Sequence, residues 1–399
     1  LGAMELRSSL EQSLGVDLPG MLIFDFPTIS SIIEYAEDCF CRDFETSSSL
    51  EEPTFANVGD DDVCVTLGNL WSSHSFRDDV GCMDVIDHVP ICRWDNEVPF
   101  CLNDTFISGR FFGFLRGIEF FDKDAFSLLE TEARIMDPQQ RFLLSASLTS
   151  LSSWETPQKG MCGVYVGVGP NEFSSTTGAF CEQGVYTATS EAISVASGRI
   201  SFTFGLQGPC MTVDTACSAS LVATHLSMQG IKAFETSSSI SGGALIIVKQ
   251  SCQRLQKAGM LSIDGRCKTL DVTGDGYVRG EGCSLLCLEA NGADKSVSVI
   301  VTGSAVNQDG RSSSLTAPNG PSQQKVIIRA LQTSRRDKSS VALLQMHGTG
   351  TSLGDPIEIS AANTVINGGA RRDTNEEADP ISCLLYTSPS PRDLSTSRM

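Results

Sequence analysis

One cysteine of this chain stands where its thiol could act as a nucleophile. Cys217 lies in the run DTACS at 214–218, after a β-prone stretch at 210–213 and before an apolar helical pattern at 221–228. It would meet the exposed N–H groups and the positive end of a helix, and both stabilise a thiolate. Because the thiolate is the reactive form, this pattern predicts a thiol that attacks an electrophilic carbon. The alternative is a buried small hydrophobe, the commoner role of cysteine.

A histidine among glycines and threonines is the second candidate. His347 follows a short apolar run at 341–346 and opens the motif HGTGT, which GDPIE follows at 354–358. The C-terminal end of a buried strand is a usual place for a ligand site in α/β proteins. Thr349 and Thr351 offer hydroxyl groups to a polar ligand arm. The lysine and the spacing of a P-loop are missing, which disfavours nucleotide binding. The alternative for His347 is a hydrogen-bonded core histidine.

Five charged residues near these motifs are expected to support the site. Asp355 and Glu358 could be read as an acid–base pair, but their place after a turn fits the N-terminal charge of a helix. We therefore expect them to hold the histidine loop. Arg279 and Glu281 are expected to form a buried or loop-fixing ion pair. Asp214 is expected to be a structural hydrogen-bonding residue.

The other thiols and one further histidine are expected to be structural. Small buried hydrophobes or loop residues are the expected roles of four cysteines: Cys210, Cys267, Cys283 and Cys287. His225 falls on one face of the predicted helix with apolar neighbours, so we expect it to be packed and hydrogen-bonded.

Composition narrows the classes of function. The 399 residues are 41% hydrophobic and 19% charged, as in globular proteins, and the net charge of −19 disfavours a nucleic-acid partner. No CxxC pair occurs among the 15 cysteines, so we expect no metal site. No signal sequence is recognisable, and no apolar run approaches the ~20 residues that span a bilayer. The expected setting is intracellular and reducing, cytoplasmic or in an organellar stroma.

Four regions follow from shifts in composition. Residues 1–40 carry helical patterns, and residues 41–62 are acidic and serine-rich, as in a linker. Residues 63–382 are expected to form one large domain. Residues 383–399 resemble the translation of a sequencing-library adapter and are expected not to be native.

Strand and helix patterns alternate over the large domain, which favours α/β layers. Expected strands are 63–67, 163–168, 210–213, 244–249, 296–303 and 341–346. Expected helices begin after 135–141, cover 194–200, and follow Cys217.

Taken together, the two motifs resemble the β-ketoacyl synthase family, and most closely the ketosynthase domains of modular type I polyketide synthases. Further matching runs lie in order across about 85–360. They are MDPQQR at 136–141, GRISF at 198–202, GLQGP at 205–209, AGMLS at 258–262, GRCK at 265–268, GDGYVRGEG at 274–282, NQDG at 307–310 and APNGPSQ at 317–323. Residues 1–40 resemble the C-terminal half of an acyl carrier protein domain, through LGAMELR at 1–7 and FDFPT at 24–28. The resemblance places the phosphopantetheine-bearing serine just before Leu1.

The resemblance implies a thiolase-like, five-layered α/β sandwich of two similar halves, and a homodimer. It implies that Cys217 accepts an acyl chain from a carrier thioester and that its N–H contributes to an oxyanion hole. A malonyl-type carrier thioester then loses carbon dioxide, and its carbanion attacks the acyl group. His347 would donate a hydrogen bond to the extender's thioester oxygen, while Thr349 and Thr351 would bind the pantetheine arm. No metal, nicotinamide or flavin is implied; phosphopantetheine arrives on carrier domains.

The sequence departs from the family pattern in several places. It holds no Lys-x-Asn-x-Gly-His motif, which supplies the family's second histidine, and no early Cys-Arg-x-Pro-Gly-Gly signature. The helix after Arg141 lacks the usual acidic and tryptophan residues. We therefore expect the 399-residue chain itself to acylate poorly and not to condense. Three alternatives stay open: a non-elongating, transacylating ketosynthase, a thiolase-fold enzyme acting on free coenzyme A, and a degenerate carrier-docking scaffold.

Overall fold

The structure is a computed structural model. It describes residues 63–71, 86–94, 111–154, 161–170, 173, 185–290, 299–368 and 382–383, together with eight separate positions between 10 and 35. These residues fall into two compact units. The larger unit comprises Asp61–Cys267, Asp275–Thr302 and Thr387–Met399. The smaller unit comprises Leu1–Asp60, Lys268–Gly274 and Gly303–Tyr386. The expected linker at 41–62 and most of the adapter-like tail lie outside the described residues.

The larger unit is built on a six-stranded mixed sheet. Its strands are β1 (Val63–Trp71), β4 (Cys162–Val168), β5 (Cys210–Val213), β6 (Ser238–Leu245), β7 (Gly282–Ala290) and β8 (Val299–Val301), in the order β5-β4-β6-β7-β1-β8. Strands β5, β4 and β6 run parallel, whereas β7, β1 and β8 add in antiparallel pairs. Every residue of β4 is buried, as expected of an interior strand covered on both faces. A two-stranded ribbon of β2 (Ile86–His88) and β3 (Phe111–Gly113) completes the described strands of this unit.

Helices of the larger unit begin where the sequence supplies caps and end at glycine or extended residues. They are α1 (Glu130–Ile135), α2 (Pro138–Ser153), α3 (Thr187–Glu191), α4 (Val195–Phe204), α5 (Ala219–Lys232) and α6 (Lys249–Lys257). At the start of α2, the Asp137 side chain accepts a hydrogen bond from Gln139 N–H at 2.8 Å, with proline at the first helical position. The main core packs α2 and α4 against β4, β6 and β7, with Leu143, Val164, Ile200 and Leu285 fully buried.

The smaller unit contains α7 (Gly320–Ser334), β9 (Leu343–Leu344), α8 (Gly354–Ile366) and β10 (Ser382–Cys383). Asn319 caps α7 by accepting from Ser322 N–H at 3.0 Å. β10 pairs parallel to β9 and spans the boundary that the sequence placed between 382 and 383.

One strand prediction is wrong. The expected strand at 244–249 is instead the end of β6, an irregular turn, and the start of α6 at Lys249. The serine- and glycine-rich residues 238–243 form the strand, although such residues are typical of turns. Predictions at 63–67, 163–168 and 210–213 are confirmed, and β1 continues to Trp71.

Candidate active site

Cys217 lies in the larger unit, at the junction between β5 and α5. It occupies a single 3₁₀ turn, Ala216–Ser218, and its side chain is exposed. The 14-residue helix α5 begins two positions later, at Ala219. The positive end of that helix therefore lies next to the thiol, as the sequence predicted.

Short-range hydrogen bonds hold the turn. Asp214 Oδ1 accepts from Ala216 N–H at 3.0 Å, and Ala216 adopts a left-handed backbone with φ of 54°. The Ser218 hydroxyl donates to the carbonyl oxygen of Thr215 at 3.0 Å and lies 2.9 Å from the hydroxyl of the same residue. Asp214 thus contacts the backbone beside Cys217, the contact that its expected structural role requires.

Two glycines let the start of α5 approach the sheet. A Cβ built on Gly167 of β4 would lie 2.5 Å from the carbonyl carbon of Ala219 and 2.6 Å from Ser220 N. A Cβ built on Gly243 of β6 would lie 2.6 Å from the oxygen of Gly167 and 3.2 Å from Ser220 Cβ. Larger residues at either glycine would push the turn that carries Cys217 away from the sheet.

Burial separates Cys217 from the core thiols. Desolvation raises the pKa of Cys162 to about 11 and the pKa values of Cys283 and Cys287 to about 12, so these thiols stay protonated at neutral pH. Cys210 departs from expectation: it lies exposed on the edge strand β5, because the neighbouring position across from β4 holds no strand among the described residues.

The histidine motif lies in the smaller unit, between β9 and α8. His347 is exposed, and Gly348 and Gly350 adopt φ values of 55° and 69°, which favour glycine. Both oxygens of Glu358 accept from this loop: Oε1 from His347 N–H at 2.5 Å and Oε2 from Gly348 N–H at 2.9 Å. Glu358 therefore fixes the backbone on both sides of the His347 carbonyl.

Asp355 holds the other half of the same loop. It is buried, with 4% of its surface exposed, and its Oδ1 accepts from Gly350 N–H at 3.1 Å and Thr351 N–H at 3.4 Å. The hydroxyls of Thr349 and Thr351 lie 3.1 Å apart and are partly buried. The Thr351 hydroxyl also accepts from Gly354 N–H at 3.1 Å, so one of the two hydroxyl groups already serves the start of α8.

The expected ion pair between Arg279 and Glu281 is wrong. Glu281 pairs instead with Arg93, whose guanidinium lies 2.5 Å from Oε2, and the Glu281 side chain is fully buried. It also accepts from Leu115 N–H at 2.8 Å and Ile247 N–H at 2.9 Å. Arg279 donates to the Ser251 hydroxyl at 2.7 Å. The true partner lies 188 positions from Glu281, so local spacing gave no signal for it.

His225 lies on α5, half-buried, and burial lowers its pKa below the ordinary value. The packing expected for His225 is thus observed. Thr269, which the sequence did not single out, donates to the Gly348 carbonyl oxygen at 2.6 Å. No local pattern marks Thr269, because its partner lies 79 positions away.

Two further searches concern the described residues alone. No cluster of three or more histidine, cysteine, aspartate or glutamate side chains among them could hold a metal ion. None of the helices formed by these residues has the length and hydropathy needed to cross a membrane.

Comparison with protein families gives three matches. The Beta-ketoacyl synthase, N-terminal domain profile matches residues 82–292, and the corresponding C-terminal domain profile matches residues 298–378. A Phosphopantetheine attachment site profile matches residues 1–36.

The curated relatives are much longer proteins. Polyketide synthase GfsA of Streptomyces halstedii is 38% identical over 388 residues, which cover 90% of this chain and 5% of the relative. Pikromycin polyketide synthase component PikAII of Streptomyces venezuelae is 37% identical over 402 residues, which cover 94% and 10%. A phenolphthiocerol/phthiocerol polyketide synthase of Mycobacterium tuberculosis is 40% identical over 321 residues, which cover 77% and 21%. The chain thus spans a small part of each relative.

Solved structures show the same fold. The ketosynthase from module 6 of the bacillaene synthase of Bacillus subtilis 168 aligns with a TM-score of 0.68 at 29% identity, covering 78% of this chain and 55% of that one. The oxazolomycin ketosynthase domain OzmH KS7 of Streptomyces albus JA3453 aligns with a TM-score of 0.70 at 28% identity, covering 77% and 57%. The predicted thiolase-like α/β fold class is confirmed by these likenesses.

Proposed function

The chain belongs to the β-ketoacyl synthase family, and from that premise we propose that it is the ketosynthase of a polyketide assembly line. Cys217 accepts an acyl chain from a carrier thioester, and a carrier-bound malonyl-type extender then undergoes decarboxylative Claisen condensation with it. The observation that carries this proposal is the position of Cys217: an exposed thiol at the start of α5, while three other thiols are buried and protonated.

Acyl transfer is the first step. The Cys217 thiolate attacks the thioester carbonyl, the tetrahedral intermediate collapses, and the carrier thiol leaves with the proton. The N–H of Cys217 lies next to the reacting atom by its position in the chain and contributes a donor to the oxyanion. Hydrogen bonds from Asp214 and Ser218 keep the turn in one conformation, so the donor needs no reorganisation during the reaction.

Condensation is the second step. The extender's carboxylate leaves as carbon dioxide, and the electron pair moves to the thioester enolate. His347 donates a hydrogen bond to the enolate oxygen as charge develops there. The new carbon–carbon bond forms at the acyl carbonyl, and Cys217 leaves as thiolate and regains a proton. Glu358 and Asp355 act indirectly, because they fix the loop that carries His347.

The extender's carrier presents its thioester on a pantetheine arm, and Thr349 and Thr351 are proposed to bind it. Their hydroxyls suit its amide groups, since a hydroxyl both donates and accepts. Because Thr351 already accepts from Gly354 N–H, we expect it to act on the arm as a donor. The partners are therefore acyl carrier protein domains, in cis or in trans.

We also propose that the chain forms a homodimer. Strand β5 lies at one edge of the six-stranded sheet and pairs only with β4 among the described strands, and Met211 on it is 43% exposed. A sheet edge of this kind is a template for pairing with another chain. Sedimentation velocity tests the proposal, and a purely monomeric species at micromolar concentration would refute it.

Selective labelling tests the nucleophile. Purified chain is treated with limiting iodoacetamide at neutral pH, and the cysteines are quantified by peptide mass spectrometry. Cys217 should be modified first, about tenfold faster than the exposed cysteines Cys92 and Cys210, because the helix end favours its thiolate. A short-chain acyl carrier thioester should then acylate Cys217 and leave a Cys217→Ala variant unmodified. Equal rates for all three exposed thiols and no acylation would contradict the proposal.

A non-elongating ketosynthase and a degenerate carrier-docking scaffold are the competing functions. The transacylating enzyme would acylate Cys217 but leave a malonyl carrier thioester intact, whereas the scaffold would bind carriers without acylation. The 399 residues contain no Lys-x-Asn-x-Gly-His motif, so we expect this polypeptide to accept an acyl group slowly and to form no carbon–carbon bond. Detectable condensation product in a mass-spectrometric assay would overturn that expectation.

A further inference from the structure

A short segment of the smaller unit, Thr269–Gly274, crosses the His347 loop; we call it the strap. It contacts the loop through a side chain. The Thr269 hydroxyl donates to the carbonyl oxygen of Gly348 at 2.6 Å, and Thr269 is partly buried. Gly348 N–H donates to Glu358 at 2.9 Å. The residue that follows His347 is therefore held at both its N–H and its carbonyl group, by two different parts of the chain.

A second contact passes through Asp355. Its Oδ2 accepts from Leu270 N–H at 2.8 Å, while its Oδ1 accepts from Gly350 N–H at 3.1 Å. One buried carboxylate thus joins the strap to the loop. Leu270 has a φ of 58°, a left-handed conformation that residues with a Cβ rarely adopt. Backbone of this kind persists where the surrounding contacts determine it, and such residues cluster at functional sites.

The third contact is a close approach of two backbones. A Cβ built on Gly274 would lie 2.7 Å from the carbonyl oxygen of Gly350. The strap therefore meets the loop at Gly348, at Gly350 and, through Asp355, at the N–H groups between them. Its other side chains are not used in this way: the Thr273 hydroxyl donates to Asp271 at 2.7 Å, within the strap itself.

We propose that the strap is a positioning element for His347, and that Thr269 is a positioning residue that acts on His347 through the Gly348 carbonyl. Glu358 alone fixes the peptides before Gly348, but it leaves the peptide after Gly348 free to rotate. The Thr269 hydroxyl removes that freedom, so the left-handed turn at Gly348 has one orientation. The catalytic consequence of this arrangement rests on the proposed function, in which His347 donates to the enolate. The positional claim concerns the folded chain alone.

The experiment measures the environment of His347 without requiring turnover. The imidazole C2 hydrogen of each histidine exchanges slowly with deuterium, and mass spectrometry of peptides gives its half-time residue by residue. Wild-type chain, Thr269→Val and Thr269→Ser are compared at one fixed pH. In Thr269→Val, the half-time of His347 should change by about threefold to tenfold, the change in an equilibrium that one net hydrogen bond supports. His225 and His88, which lie in the larger unit, serve as internal references and should not change.

Two controls separate positioning from general loss of structure. Thr269→Ser keeps the hydroxyl and should restore the wild-type half-time, whereas Thr273→Val removes a hydroxyl from the same strap and should leave His347 unchanged. An unaltered His347 in Thr269→Val, or an equal change in Thr273→Val, overturns the proposal. If Thr269→Val does not fold, Thr269→Ala is measured against Thr269→Ser under the same criterion. Failure of the proposed function would appear separately, as a wild-type chain in which Cys217 is not acylated.

Discussion

Gly167 lies directly beneath Ala219, the first residue of α5: a Cβ on the glycine would lie 2.5 Å from the carbonyl carbon of Ala219. Real Cβ atoms do not approach backbone so closely, and the backbone of a helix cannot yield as a flexible side chain can. The sheet and the nucleophile turn are therefore in contact at a position where only glycine fits. Cys217, two residues before Ala219, takes its place from this contact.

Gly167→Ala should displace the start of α5 and with it Cys217. Overpacking of this kind costs about 1–3 kcal/mol in the free energy of unfolding. The rate of Cys217 alkylation should fall, because the thiol moves relative to the helix end. Urea unfolding and iodoacetamide kinetics measure the two effects.

Gly198→Ala is the matched control for this substitution. Gly198 lies inside α4, and a Cβ there would meet nothing within 4 Å. Alanine should stabilise the helix by about 0.5–1 kcal/mol and leave the alkylation rate of Cys217 unchanged. A Gly167→Ala protein that is as stable and as reactive as wild type would show that the close approach has no consequence.

Glu358→Gln tests the support of the histidine loop. Glutamine keeps one oxygen acceptor but loses the other, so one of the N–H groups of His347 and Gly348 lacks its partner, at a cost of about 1–3 kcal/mol. The imidazole exchange half-time of His347 should change, and Cys217 alkylation should not. Glu191→Gln, an exposed position on α3, is the control and should change neither quantity. An unchanged His347 in Glu358→Gln would remove this carboxylate from the supporting role.

The buried thiols give a prediction about pH. Because the pKa of Cys162 is about 11 and those of Cys283 and Cys287 are about 12, only about one molecule in a thousand or fewer holds these thiolates at pH 8. Labelling at pH 8 should therefore leave all three unmodified in the folded chain. In denaturant they should react at ordinary rates, since a thiol in water has a pKa near about 8.5. Rapid modification of Cys283 in the native chain would show that β7 opens readily.

The sequence predicted the nucleophile region well, for reasons that are local. β5, the turn and α5 follow one another within 23 residues, and β-branched residues, a turn and an apolar 3.6-residue period mark each one. β4 was equally readable, since an interior parallel strand is a continuous apolar run.

The errors arose where tertiary contact overrides local preference. β6 forms from Ser238–Leu245, although serine and glycine favour turns, because β4 and β7 supply hydrogen bonds on both sides and Gly243 makes room for Ser220. Arg279 and Glu281 stand two apart in one extended segment, which favoured an ion pair between them. The buried carboxylate instead meets Arg93, and no one-dimensional pattern links those positions.

His225 should make stability depend on pH. Burial lowers the pKa of this imidazole below its ordinary value of 6.5, so the unfolded chain binds the proton more tightly than the folded chain. The contribution of His225 to stability is present above pH 6.5 and is lost as pH falls through the lower folded pKa. His225→Gln should therefore reduce the loss of unfolding free energy between about pH 7 and pH 5. Gln229→Ala, on the same helix and exposed, titrates nothing and should leave the pH dependence as in wild type.

The Arg93–Glu281 pair should stabilise the fold weakly as a pair and strongly as separate residues. Desolvation raises the pKa of Glu281 above its ordinary value of 4.5, and it outweighs the opposing effects of Arg93 and the two backbone donors. Arg93→Met leaves a buried carboxylate without its cation, which costs about 3–5 kcal/mol. The double variant Arg93→Met with Glu281→Leu removes both charges and should recover part of that loss, while the N–H groups of Leu115 and Ile247 remain without their acceptor.

The pH dependence of Arg93→Met follows from the same carboxyl. A group whose pKa is raised by folding binds its proton more tightly in the folded chain, so the stability it contributes is present below the unfolded pKa and is lost as pH rises through the folded pKa. Without Arg93 the pKa of Glu281 rises further, and the variant should lose stability over a wider range above pH 4.5 than wild type does. Arg134→Gln breaks the exposed pair with Glu130 and should cost about 0.5 kcal/mol or less, with no such widening. Urea unfolding at several pH values decides the matter: equal losses for Arg93→Met and Arg134→Gln would mean that burial of Glu281 does not govern the energy of its ion pair.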